Sequence, residues 1–245
     1  MKRCTFTLEH ARRLTEDTYE LVLSGDGASV TAPGQFVDLS LPGKFLRRPI
    51  SVCSWSDEGL LLLVKVVGDG TRQLVRSVPG TEFDTLSGLG NGFDVDAAAG
   101  TPILAGGGIG IAPLYGLARV LRQRGEPVTA ALGFRTAADA FYLSEFAALG
   151  CDLMVATEDG TLGVKGFVTD LIQKRPERDY VFTCGPLPML RAVHALPQLR
   201  GGQFSFEARM GCGFGACMGC SVPTADGYKR VCKDGPILYK EEIVW

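Results

Sequence analysis

The sequence predicts a multidomain chain of the α/β plus β class: an N-terminal antiparallel β-barrel, a doubly wound α/β sheet, and a small C-terminal segment held by something other than an apolar core. Three observations carry this. Short β-rich runs broken by Gly, Pro and Asp turns fill residues 4 to 95, strand, glycine-loop and helix patterns alternate from 101, and the chain turns Cys- and Gly-rich from about 204. The 245 residues are enough for about two domains of roughly 100 to 150 residues and an appendage. The boundaries expected are 1–97, 98–203 and 204–245.

In the first segment "YELVLSG", "QFVDLSL", "PISVCSW" and "LLLLVKVV" read as strands, separated by turns such as "APG", "LPG" and "SDEG". Short strands at this spacing suit a small barrel or sandwich. In the second, "TPILAGGGIGIAPLYGLARVLRQRG" is followed by the strand "PVTAALGF", a helix around "DAFYLSEFAALG", the strand "DLMVATE", a helix around "FVTDLIQKR", and the strand "DYVFTCG". That alternation implies a parallel sheet with helices on both faces. The last segment of about 40 residues is too short to bury a sufficient core and needs a staple.

Cys212-x4-Cys217-x2-Cys220-x11-Cys232 supplies one. Structural zinc sites usually pair two short knuckles, whereas here the fourth cysteine stands alone, in the order of plant-type [2Fe–2S] loops. Glycines at 211, 213, 215 and 219 let the backbone wrap closely and aim N–H groups at a negative cluster. Zinc, or a merely Cys-rich turn, is the alternative. Cys4, Cys53 and Cys151 read as plain buried residues. The eight cysteines suit a reducing compartment, where disulfides are rare. A net charge of −2 with scattered signs excludes a polybasic nucleic-acid surface. No apolar run is long enough to span a bilayer and the first residues lack a signal-peptide core, so a cytoplasmic protein without membrane contact is expected.

"FLRRPISVCSW" sets Arg48, Pro49 and Ser51 at a strand end: a guanidinium for a flavin pyrophosphate, a stiffened backbone and a hydroxyl for phosphate or flavin. Further on, "VVGDGTRQL" ends a strand with Gly70 and Thr71 ahead of a possible helix, an anion cradle of N–H groups. "ILAGGGIGIAPL" brings Gly106, Gly107, Gly108 and Gly110 between a strand and a helix, the context of a dinucleotide site. It is not a strict G-x-G-x-x-G, because Pro113 stands at the third glycine position and suits a first helical turn. Cys184 and Gly185 end another strand at the same ligand-binding edge. Cys184 either lies near a nicotinamide or fills a tight corner. In "GFRTAAD", Arg135 on a 2′-phosphate would mean NADP and Asp139 on a ribose hydroxyl would mean NAD, and the sequence leaves both open.

In order, "LRRPIS", "GDGT", "LAGGGIGIAPL", "CGPLPML", "EARMGCGFGACMGCSV" and "VCKDGPIL" make the chain resemble the ferredoxin–NADP reductase superfamily, and more closely the electron-transfer subunits of dihydroorotate dehydrogenase B, over nearly its whole length. The resemblance implies FAD contacts at Arg48, Pro49, Ile50 and Ser51, at Leu63, Val64 and Lys65, and at Gly70 and Thr71. It implies cluster ligation by Cys212, Cys217, Cys220 and Cys232. It also implies a separate FMN-containing catalytic subunit that oxidises dihydroorotate in de novo pyrimidine (UMP) biosynthesis, a heterotetramer of two of each, and NAD⁺ as the final acceptor. No catalytic acid or base is then needed on this chain. His10 and His194 lie in no motif, and Glu207 and Arg209 would contact the flavin or the partner, or pair with each other. Related complexes of the same modules (sulfide dehydrogenase, hydrogenase, or an NADH-dependent ferredoxin:NADP oxidoreductase), a partner-free reductase and a zinc-holding assembly module are the competing readings.

Overall fold

The computed structural model describes residues 1–97 and 102–245. The boundary expected at 97/98 adjoins residues 98–101 and lies outside the described residues. β1 (Lys2–Arg13), β2 (Thr18–Ser24), β3 (Phe36–Leu39), β4 (Arg48–Ser56), β5 (Gly59–Lys65) and β6 (Glu82–Leu89) close an antiparallel barrel in the order β1-β2-β5-β4-β3-β6. Period-two alternation sends Phe6, Leu8, Leu21, Leu23, Val37, Leu62, Val64 and Phe83 inward. The helix α1 (Asp69–Val75) adds buried Leu74 and Val75 to the same core. β1 was not among the strands expected: past Leu8 its residues are all exposed, so the buried half of the alternation that marks a strand is missing.

β7 (Ile103–Gly107), α2 (Ile111–Gln123), β8 (Thr129–Phe134), α3 (Leu143–Ala148), β9 (Asp152–Thr157), β10 (Val164–Lys165), α4 (Val168–Gln173), β11 (Tyr180–Cys184), α5 (Leu187–His194) and β12 (Gly201–Ser205) follow. α3 is shorter than the pattern suggested, because Tyr142 at its start adopts a left-handed φ of 65°. A hairpin of β13 (Ser221–Thr224) and β14 (Gly227–Arg230) and the short β15 (Ile237–Tyr239) complete the strands. The sheet runs β10-β9-β8-β7-β11-β12-β15, parallel except for β15. The C-terminal segment thus adds an edge strand to this sheet. Alternation along β7 puts Leu104 under α2 and Ile103 and Ala105 under α4 and α5, so both faces are covered. The strand order reverses between β7 and β11, the switch point where open α/β sheets bind ligands.

Barrel and sheet meet through α2 and β4. A Cβ on Gly116 would stand 2.9 Å from the Cys53 carbonyl oxygen, so only glycine allows this approach. Beside it the Tyr142 hydroxyl donates to Glu20 Oε2 at 2.6 Å, while Arg12 donates to both Glu20 oxygens at 3.0 Å. The Asn91 side chain ties the end of the barrel to the C-terminal segment, donating to the Ile237 carbonyl at 2.8 Å and accepting the Ile237 N–H at 3.1 Å. Among the described residues no helix is long and apolar enough to cross a membrane.

Candidate functional site

The Arg-Pro-x-Ser element opens β4, laddered against β3 as Leu39 with Arg48, Asp38 with Pro49, Val37 with Ile50 and Phe36 with Ser51. The Arg48 guanidinium lies across Gly70: a Cβ there would stand 2.0 Å from Arg48 Nε. Folding therefore brings together the two elements that were read separately in the sequence. The Thr71 hydroxyl takes the N–H groups of Val67 and Gly68, at 3.0 and 3.2 Å, and donates to the Gly68 carbonyl, so Thr71 shapes the turn with its own side chain. Leu63 and Val64 are buried on opposite sides of β5, Leu63 toward the sheet core and Val64 inside the barrel, which leaves their backbones to meet a ligand. Lys65 is ion-paired with Asp17 at 3.2 Å.

β5 also lies against the turn at 108–110, which brings the glycine loop to the barrel wall. Gly106 pairs with Cys184 across the parallel ladder. A Cβ on Gly110 would meet the Cys184 carbonyl oxygen at 2.4 Å and the Gly185 nitrogen at 2.6 Å, and one on Gly107 would meet Met189 Sδ at 2.5 Å. Gly108, at φ +52°, has nothing within 4 Å of its Cβ position. The two strand ends therefore touch, with an open backbone face above Gly108 where a pyrophosphate could approach. Burial pushes the Cys184 thiol up to about 12, with Glu207 adding to the shift, which favours the neutral thiol. Glu207 reaches solvent, yet desolvation raises its carboxyl and no cation lowers it. Arg135 and Asp139 pair with each other at 3.2 Å, and Thr136 also donates to Asp139.

The cysteine loop is shaped by left-handed residues: Gly213 at φ +75°, Gly215 at +93° and Met218 at +61°. Its backbone donates to sulfur: Ala216 and Cys217 N–H to Cys212 at 3.2 and 3.4 Å, Gly219 to Cys217 at 3.5 Å, and Cys232 to Cys220 at 3.4 Å. Burial opposes the Cys212 thiolate, but the N–H groups of Cys217, Phe214 and Ala216 outweigh it and lower the thiol to about 6. Cys232 is pushed up to about 12, by burial and then by Cys220. The sulfurs stand as two pairs, 212 with 217 and 220 with 232, and among the described residues no three ligating side chains converge on one point. Four soft donors in two pairs fit a two-iron cluster in which each iron takes two thiolates. The close approach of Gly211 and Gly219 to Cys217 Sγ, with Cβ positions at 3.2 and 3.5 Å, leaves the narrow backbone wrap that such a loop needs.

Residues 207–244 match the family described as the iron-sulfur cluster binding domain of dihydroorotate dehydrogenase B. Over 241 residues the chain is 42% identical to the dihydroorotate dehydrogenase B (NAD(+)) electron transfer subunit of Listeria monocytogenes serotype 4a (strain HCC23), covering 94% of each chain. It is 44% identical over 250 residues to that of Bacillus caldolyticus, covering 97% of each. Among solved structures it is similar to a chain of NADH-dependent reduced ferredoxin-NADP oxidoreductase, a structure concerned with flavin-based electron bifurcation, with a TM-score of 0.89 and 30% identity over 98% of this chain and 90% of that one. Ferredoxin-NADP+ reductase from Plasmodium falciparum, at a TM-score of 0.65 and 15% identity over 78% of this chain and 88% of that one, shares the fold alone. Near-full coverage in both directions at this identity, together with the matched cysteine segment, shows that the chain belongs to the family of dihydroorotate dehydrogenase B electron transfer subunits.

Proposed function

We propose that the chain carries electrons from the FMN of a dihydroorotate-oxidising catalytic subunit, by way of a [2Fe–2S] cluster and FAD, to NAD⁺ in de novo pyrimidine biosynthesis. The observation that carries this reading is the meeting of three elements around one side of the barrel. The Arg48 element and Gly70 form one cradle, β5 leads from it to the glycine turn, and β3 leads from it to the cysteine loop. FAD held at this cradle would supply the link between one-electron chemistry at a cluster and hydride transfer to a nicotinamide. The protein's own work is positioning and shielding. Arg48 would bind the flavin's pyrophosphate, and Pro49, Ile50, Ser51, Leu63, Val64 and Lys65 would present the wall for its ring. Gly106, Gly107, Gly108 and Gly110, with Cys184 and Gly185, would admit the dinucleotide. Cys212, Cys217, Cys220 and Cys232 would hold the cluster.

In this reading 1–97 is the FAD domain, 98–203 the NAD domain and 204–245 the cluster domain. The chain works in the cytoplasm within a heterotetramer of two subunits of each kind. The test is a visible spectrum of the anaerobic chain before and after NADH, then NADPH, followed by dihydroorotate in the presence of the catalytic subunit. Bleaching by NADH and by dihydroorotate with its subunit is expected; a colourless chain, or one reduced only by NADPH, would overturn the assignment. The likeness to the NADH-dependent ferredoxin-NADP oxidoreductase favours a second reading, an electron-transfer subunit of that type of complex. In that case dihydroorotate would leave the complex oxidised.

A further inference from the structure

β3 departs from barrel alternation: all of Phe36, Val37, Asp38 and Leu39 are buried. Val37 and Leu39 fill the barrel, and Phe36 packs outward with Cys220, Val231 and Cys232 of the C-terminal segment. Asp38 shares that outward face and is only 2% exposed. One carboxylate oxygen, Oδ1, has no hydrogen-bond partner among the described residues. The other faces the cysteine loop, since a Cβ on Gly213 would stand 2.3 Å from Oδ2.

The neighbouring cations do not bond this carboxylate. Arg47 donates to the Asp38 and Asp84 backbone carbonyls and to the Asp84 carboxylate, which Arg3 also holds, and Arg48 is turned across Gly70. Burial pushes the Asp38 carboxyl up to about 6, against Arg47 and Arg48, which favour the anion, while Cys212 opposes it. A buried carboxylate without a hydrogen-bonded partner is costly, and a barrel wall would be more stable with an apolar residue there. Asp38 is also the ladder partner of Pro49, so it stands between the Arg48 element and the Cys212–Gly213 turn.

We propose that Asp38 is a positioned negative charge that sets the reduction potential of the cluster and holds it low, so that an electron there passes readily to the flavin. This rests on the reading that Cys212 is a cluster ligand. Reduction adds one electron to the cluster, and a nearby anion in low dielectric raises the energy of the reduced form more than that of the oxidised one. No bond forms or breaks at Asp38.

The test uses the full chain with its flavin and cluster, as parent, Asp38→Asn and Asp38→Ser, titrated potentiometrically while the paramagnetic signal of the reduced cluster is recorded. At the parental midpoint potential, each variant should show about a tenfold higher ratio of reduced to oxidised cluster, equivalent to ~59 mV for a one-electron couple. The flavin midpoint should move less. A cluster-loaded variant with the parental or a lower midpoint overturns the proposal. So does a pair of variants that keep the parental circular dichroism but do not load cluster, because Asp38 would then support the loop without tuning it. A parent chain with no such signal would sink the cluster assignment itself, and this proposal with it.

Discussion

Removing the Tyr142 hydroxyl measures what one polar contact between barrel and sheet contributes to holding them together. In Tyr142→Phe the ring remains to pack edge-on against Tyr115, with centroids now 5.1 Å apart, and the hydroxyl's 2.6 Å bond to Glu20 is lost together with its interaction with the Cys53 thiol. A hydrogen bond to a charged group contributes about 1.5–3 kcal/mol. The lower end applies, because Arg12, whose side chain is 54% exposed, still holds the carboxylate through two bonds. A loss of about 1.5–2 kcal/mol corresponds to roughly 3–8 °C in Tm for a chain of this size. Burial favours the neutral Glu20, but the bonds from Arg12 and Tyr142 win and hold its carboxyl below the ordinary range. That stabilisation is present above the unfolded value of about 4.3 and is lost as pH falls through the folded value. The gap between parent and variant should therefore be full at pH 7 and narrow below about pH 4, toward the ~0.5–1.5 kcal/mol of a neutral bond. Thermal unfolding at both pH values measures it, and flavin reduction by NADH should slow as the two halves lose register. Equal melting at pH 7 would refute the argument.

Gly110→Ala would drive a methyl group into backbone at Cys184 and Gly185, which cannot rotate away. About 1–3 kcal/mol of destabilisation and weakened NADH binding are expected, read by melting and by titration of flavin bleaching. Arg48→Gln keeps a polar side chain but removes the charge beside Gly70, so FAD should be lost on gel filtration at least tenfold more readily, with the cluster absorbance unchanged. Cys232→Ser should abolish the cluster's visible and paramagnetic signals while flavin reduction by NADH persists, which separates the two redox groups on one chain.

Much of this protein is legible from local pattern. The spacing of Cys212, Cys217, Cys220 and Cys232, the strand–glycine–helix order around Gly106 to Pro113, and the short β-rich runs of β2, β4 and β5 each arise from neighbours along the chain. Such features follow from backbone geometry and donor chemistry, which a short stretch of sequence already contains. Other features needed the folded chain. β1 hides because past Leu8 both of its faces are exposed and no alternation marks it, and β15 is too short to show a period, becoming a strand only because β12 offers it an edge. The apposition of Arg48 with Gly70, the contact of Gly110 with Cys184 and the burial of Asp38 against Gly213 join residues far apart in sequence, and no local preference encodes those meetings. Motif chemistry is a property of adjacent residues, whereas burial, pKa and the placement of a lone charge depend on what the rest of the chain packs around them.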